Sequence, residues 1–366
     1  MNLVEIIEAI DNNVEKIRTK SLDLSFNELL DMYDNQELII DPDYQRLFRW
    51  SNEKQSRFME SLLLEMPVPP IFVIETEDNV YELIDGLQRI SSYLHFRGII
   101  INENGEKEEN FLKLCGCDMI EGLNSLSYND LPKAIQVKLK RTFIRVEVLR
   151  KASDKSLRYH MFKRLNTGGE QLSSQEVRNC TIRLLDEKFM EFIIKCSNHD
   201  SFKAVIGKIK KVEISQKIDH ELVLRFFALK NNLEEYRYPF NEFLTEYMEK
   251  VSGNKMDFDY NQEEKIFNTT FDILNQLLGT SAFSSLLKSG KYKDEFTLYY
   301  FDAFSLGVQK YLEELRLASE EINGKIIKRF QLLKQGEFAS YTTGTKGNIQ
   351  KRIEIVENGI KEVLWS

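Results

Sequence analysis

The stretch Tyr81-Glu82-Leu83-Ile84-Asp85-Gly86-Leu87-Gln88-Arg89-Ile90-Ser91-Ser92 holds the residue types and spacing best suited to chemistry. Val80, Tyr81, Leu83 and Ile84 read as a buried strand, Asp85-Gly86 as a turn, and Ile90, Tyr93 and Leu94 recur at helical spacing. A glycine where a strand becomes a helix lets the backbone come close to a ligand, and the helix start favours an anion. Arg89 adds a planar fork of donors matched to phosphate. The chemistry so indicated is the binding of a phosphate or another oxyanion, with Asp85 as the carboxylate able to meet a metal or place a water. A plainer reading stands beside it. Asp85 and Gln88 have the spacing of a capping box, with Asp85 as N-cap and Gln88 at the third helical position.

Elements on both sides would have to position this turn. Upstream lies Ile40-Asp41-Pro42-Asp43-Tyr44-Gln45-Arg46-Leu47-Phe48-Arg49-Trp50, followed by a helix capped by Ser51 that runs to about Glu65. Pro67-Val68-Pro69-Pro70 ends that helix and leads into a strand over Ile71 to Ile74. Downstream, Phe162-Lys163-Arg164-Leu165-Asn166-Thr167-Gly168-Gly169-Glu170-Gln171-Leu172-Ser173 closes one helix, and Ser173-x-x-Glu176 opens another as a capping box.

In order and spacing these stretches resemble the DGQQR-motif domain of modification-dependent restriction and phage-defence proteins, exemplified by the GmrS half of GmrSD. That fold is related to ParB and sulfiredoxin. The family pattern is a Tyr-Gln-Arg/Trp segment, a Pro-hydrophobic-Pro step, the Asp-Gly-Gln-Gln-Arg turn and a Phe-x-Arg-x-Asn-x-Gly-Gly element. All four occur here in order, and Asp219-His220-Glu221-Leu222-Val223-Leu224-Arg225-Phe226-Phe227 also looks familial. The resemblance covers about residues 20–230. One departure is Leu87, where the family has its first glutamine.

The resemblance implies a nucleoside triphosphate of unidentified base, with Mg²⁺. Tyr44, Arg46, Arg49, Gly86, Gln88, Arg89, Ser91, Arg164, Asn166, Arg178 and Asn179 are then the nucleotide- and phosphate-binding candidates, and Asp85, Gln88 and Arg89 the catalytic ones. Each has a plainer role as well. Arg46 and Arg49 suit a surface pair packed over Trp50, and Asn166 to Gly169 suit a glycine-assisted helix stop. Many relatives carry an HNH nuclease domain, whose chemistry needs a histidine. Residues 231–366 contain none, so a nuclease of that type is not expected there: either a separate chain supplies cutting or the protein acts without it.

The 366 residues, 42% hydrophobic and 30% charged, describe a soluble globular chain with room for two domains. No run approaches the ~20 apolar residues of a membrane span. The four cysteines and the absence of a leader point to the cytoplasm, and Cys115-x-Cys117 without a second cluster reads as two small loop residues rather than zinc ligands. A net charge of −8 excludes a surface coated for non-specific DNA binding, but charge is uneven. Residues 133–164 hold eleven Lys and Arg against Glu147 and Asp154. A second basic run includes Lys208, Lys210 and Lys211, and a third lies at Thr342 to Asn348 around Lys346. These four lysines are the DNA-contact candidates, with a solvated face as the plainer reading.

The expected fold is α+β: a small mixed sheet with helices over residues 1–230, then an all-helical domain over 231–366. Residues 1–20 read as helical, 99–127 as a polar insertion with weak structure, Leu131 to Lys140 as a helix and Thr142 to Leu149 as a strand. The expected function is a nucleotide-binding, NTP-hydrolysing component of a DNA-targeting prokaryotic defence system. The alternative is a non-catalytic module that uses the same pocket to sense DNA or a partner, and a third reading is a scaffold with a vestigial pocket.

Overall fold

The structure, a computed structural model, describes residues 19–40, 48, 50–77, 79–101, 107–108, 111–150, 174–182, 186–338 and 340–365. Two compact units divide the chain, Met1–Gln171 and Leu172–Ser366. The compact division therefore falls ahead of the 230/231 boundary drawn from motifs. The α+β architecture is as expected, a mixed sheet followed by helices.

The first unit is built on β1 (Thr19–Ser25), β2 (Leu38–Ile39), β3 (Ile71–Glu77), β4 (Val80–Asp85) and a small pair, β5 (Ile100–Ile101) with β6 (Lys107–Glu108), before β7 (Phe143–Leu149). The five-stranded sheet has the order β1-β7-β3-β4-β2, with β1–β7 and β3–β4 antiparallel and β7–β3 and β4–β2 parallel. Its middle is dry: Ile71, Val73, Ile74, Leu83, Ile84, Ile144, Val146 and Val148 are all buried. Alternation along β7 puts Arg145 and Glu147 on the opposite face, where they meet β1. Arg145 forks onto Asp23 at 3.1 Å twice, and Ser21 donates to Glu147 at 2.6 Å, which pins the register between directly opposed residues.

Among the described residues four helices flank this sheet: α1 (Phe26–Asp34), α2 (Asn52–Leu63), α3 (Leu87–Arg97) and α4 (Lys133–Arg141). Ser51 caps α2 as expected, accepting from the Lys54 amide at 3.3 Å. The 111–127 part of the supposed weak insertion is instead an ordered loop folded onto α2. Leu112, Leu114, Cys117 and Leu123 are buried. Glu60, 2% exposed, accepts the Met119 and Ile120 amides at 3.1 and 2.6 Å, and Ser56 accepts that of Cys115 at 3.0 Å. Irregularly spaced apolar residues bury this loop, and such spacing has no period to read. Burial pushes the Cys117 thiol up to about 11, so it packs as a neutral group.

In the second unit α5 (Ser174–Ile182), α6 (Glu187–Ser197), α7 (Asp200–Val205), α8 (Lys211–Ser215), α9 (Ile218–Asn232), α10 (Phe240–Ser252) and α11 (Tyr260–Leu278) are followed by α12 (Leu298–Gly307), α13 (Leu312–Arg316), α14 (Glu320–Leu332) and α15 (Lys346–Leu364). The core of this unit includes Phe267, Phe271 and Leu274 on α11 and Phe301 and Phe304 on α12, all fully buried. Inside this apolar body lies a buried ionic cluster. Arg225 forks onto Asp302 at 2.5 and 2.7 Å, Arg352 reaches Asp302 at 3.5 Å, and the Arg225 guanidinium sits 3.8 Å from the Phe240 ring centroid.

Lys334 is a second buried charge, 5% exposed, in a π-helical turn after α14. Its Nζ donates to the carbonyls of Ser281, Ala282 and Ser284 at 2.8, 2.7 and 3.1 Å, with the rings of Tyr292, Tyr300 and Phe304 around it. Burial, and then the Lys208 charge, push its ammonium down from 10.5 to about 7. The folded state thus binds this proton less tightly than the unfolded one. Stability should rise by about 1.4 kcal/mol per pH unit between the two values and level off below the lower one. Urea midpoints across that window should show the slope in the native protein and lose it in Lys334→Met.

Candidate functional site

The turn between β4 and α3 is forced by Gly86. Its φ of +105° suits glycine alone, and a Cβ there would lie 2.4 Å from Ile71 Cγ2. Gly86 is itself the N-cap of α3 and supplies no side-chain bond. The capping box expected from Asp85 and Gln88 is therefore absent. Asp85 lies one residue too early, and a closer partner takes it: Arg89 Nη2 donates to Asp85 Oδ2 at 2.8 Å and to the Pro70 carbonyl at 3.0 Å. The Arg89 side chain keeps 15% of its surface exposed, and its buried Nε has no hydrogen-bond partner among the described residues.

Gln88 turns to the neighbouring segment. Its Oε1 accepts the Trp50 amide at 3.1 Å. The same residue is held through its other backbone group, because Gln55 Nε2 donates to the Trp50 carbonyl at 2.7 Å, and Gln55 Oε1 meets His95 Nδ1 at 2.8 Å. Gln55 and His95 escaped the sequence reading. Their signal was a polar residue on the apolar face of α2 beside Met59 and Leu62, and a histidine on the buried face of α3. Leu87 is 3% exposed, so where the family pattern has an amide this chain has a core residue. Ser91 is buried too, its Oγ without a partner among the described residues.

Asp85, Gly86, Gln88, Arg89 and Ser91 are thus brought together at one strand–helix joint. Tyr44, Arg46, Arg49, Arg164 and Asn166 lie outside the described residues, as does the Ser173 capping box. Arg178 and Asn179 belong to the second unit, where both face inward. Arg178 pairs with Glu221 at 2.5 Å and donates to Gln175 at 2.8 Å. Gln175 donates to Asn179 at 2.8 Å, and Asn179 meets His220 Nδ1 at 3.0 Å.

The basic stretches are partly spoken for. Lys138, Arg145 and Arg150 face Glu65, Asp23 and Glu75. Lys208 donates to the Lys293 carbonyl at 3.0 Å, and Lys346 donates to Glu234 through both its carbonyl and its carboxylate at 2.7 Å. Lys210 and Lys211 are exposed. The Thr342–Asn348 loop is tied down by its carbonyls, with Tyr236 Oη on Gly344 at 2.8 Å and Arg352 on Thr343 at 2.9 Å. Among the described residues no three His, Cys, Asp or Glu side chains gather as a metal site, and no helix is long and apolar enough to cross a membrane.

Residues 26–183 match the family model described as the GmrSD restriction endonuclease, N-terminal domain. This segment is similar to the N-terminal domain of GmrSD-type restriction endonucleases. It opens at Phe26, the first residue of α1, and closes just after α5, so it takes in the Asp85–Arg89 turn and also Arg178 and Asn179. Strand β1 and the 219–227 stretch fall outside the matched GmrSD span. No curated protein and no solved structure matches the chain.

Proposed function

We propose that the chain is a nucleotide-binding component of a restriction-like defence system, with the Asp85–Arg89 turn as the phosphate site. The observation that carries this reading is the joint itself. A left-handed glycine delivers the chain into α3 without a side-chain cap, and a mostly buried arginine lies one turn along. The similarity to the GmrSD N-terminal domain over the segment that contains the turn supports the placement in defence.

In this reading Arg89 and the start of α3 bind the phosphates, and Gln88 holds the Trp50 peptide beside them. Asp85 is the one carboxylate of the turn, so Mg²⁺ would come with the nucleotide's own phosphate ligands. Hydrolysis would depend on positioning and charge stabilisation. A second reading, a non-catalytic sensor of DNA or a partner, is favoured by two features: Leu87 in place of an amide, and Asp85 committed to Arg89.

Phosphate release from each of the four ribonucleoside triphosphates with Mg²⁺, with and without duplex DNA, separates the two. The enzymatic reading expects release that Asp85→Asn reduces by at least about tenfold. Nucleotide-free DNA binding with a steep salt slope, and no release under any condition, supports the sensor reading.

A further inference from the structure

We infer that Gln55 and His95 are positioning residues that fix the Trp50 backbone against the Asp85–Arg89 turn. The inference deepens the phosphate-site reading and rests on it for its binding arm alone.

Side chains claim both backbone polar groups of a single residue, Trp50. The Trp50 N–H goes to Gln88 on α3, and the Trp50 carbonyl takes Gln55 on α2. The Trp50 carbonyl can only accept, and this fixes which way the Gln55 amide faces. Gln55 Nε2 must donate to the Trp50 carbonyl, so Oε1 faces His95, and Nδ1 has to carry the proton that it donates across 2.8 Å. A reversed amide would set carbonyl against carbonyl at Trp50.

Both residues are buried, at 3% and 9% exposure, where a polar group without its partner is costly. The Trp50 indole packs edge-on against Phe58 at 5.7 Å, with the Lys54 ammonium 5.2 Å from its centroid. Loosening the clamp should therefore shift the Trp50 backbone against Gln88 without changing any residue of the turn itself.

The chain has two tryptophans, which makes the test direct. Trp365 is exposed, so Trp365→Phe leaves Trp50 as the single reporter. In that background, acrylamide quenching reads access to Trp50, and a titration with inorganic triphosphate and Mg²⁺ reads the pocket. His95→Leu should raise the quenching constant by about twofold and weaken triphosphate binding by about tenfold. His95→Gln, which restores an N–H donor, should recover both. Ile144→Val, a mild cavity in the sheet, should lower the melting temperature and change neither. If His95→Leu does not fold, Gln55→Glu serves instead, keeping the acceptor for His95 and losing the donor to Trp50. Unchanged quenching in the clamp variants overturns the inference. Triphosphate that fails to bind the parent protein overturns the phosphate site, and quenching then decides the clamp alone.

Discussion

Asp302→Ala should cost the second unit about 3–5 kcal/mol. The reason is what remains behind. Arg225 and Arg352 both converge on Asp302, and all three are buried. Removing the carboxylate leaves two cations facing each other among Phe240, Tyr299 and the core, where neither can reach water. Replacing the pair Arg225–Asp302 together by apolar residues should be far milder, because a paired charge taken out with its partner leaves less uncompensated. Each compact unit holds one tryptophan, so urea unfolding can be followed separately at Trp50 and Trp365. Asp302→Ala should move the Trp365 transition to much lower urea.

Gly86→Ala is the counterpart in the first unit, with an expected cost of about 3 kcal/mol. Two penalties add. A side chain at φ +105° is strained in any surroundings, and the new Cβ would lie 2.4 and 2.9 Å from Ile71 Cγ2 and Cβ. Ile71 is fully buried in the central strand and has no space to retreat into. The Trp50 transition should shift and the Trp365 transition stay. Because the strain falls on the joint that aims Arg89, any surviving folded protein should bind phosphate less well. A variant with unchanged stability would mean that the left-handed turn is not the native geometry.

Much of this architecture was legible because local signals and tertiary packing agree. The apolar stretch Thr142 to Leu149 predicted a strand, Ser51 predicted a helix start, and the Asp85-Gly86 turn fell between strand and helix as read. The Asp85 capping box was misread because spacing alone cannot tell a cap from an ion pair four residues on. With glycine at the joint, the helix begins one residue later and the carboxylate goes to Arg89. The 111–127 loop was illegible because what orders it is two buried polar side chains of another element, Ser56 and Glu60. Gln55 and His95 were passed over for a similar reason. A single polar residue on an apolar face has no periodic signal, and its meaning appears only when its partner is in place. Arg178 and Asn179 looked like binding residues, and their side chains are spent on Glu221 and His220 within the helical unit.

The most direct test of the phosphate site is thermal unfolding with ATP, GTP, CTP and UTP in turn, each with Mg²⁺, for the native protein and Arg89→Ala. A ligand that binds only the folded state adds about 2.7 kcal/mol at a hundredfold excess over its dissociation constant, a plain rise in midpoint. The expected result is such a rise with at least one nucleotide in the native protein, and its loss in Arg89→Ala. No rise with any of the four, or a rise that Arg89→Ala keeps in full, would contradict it.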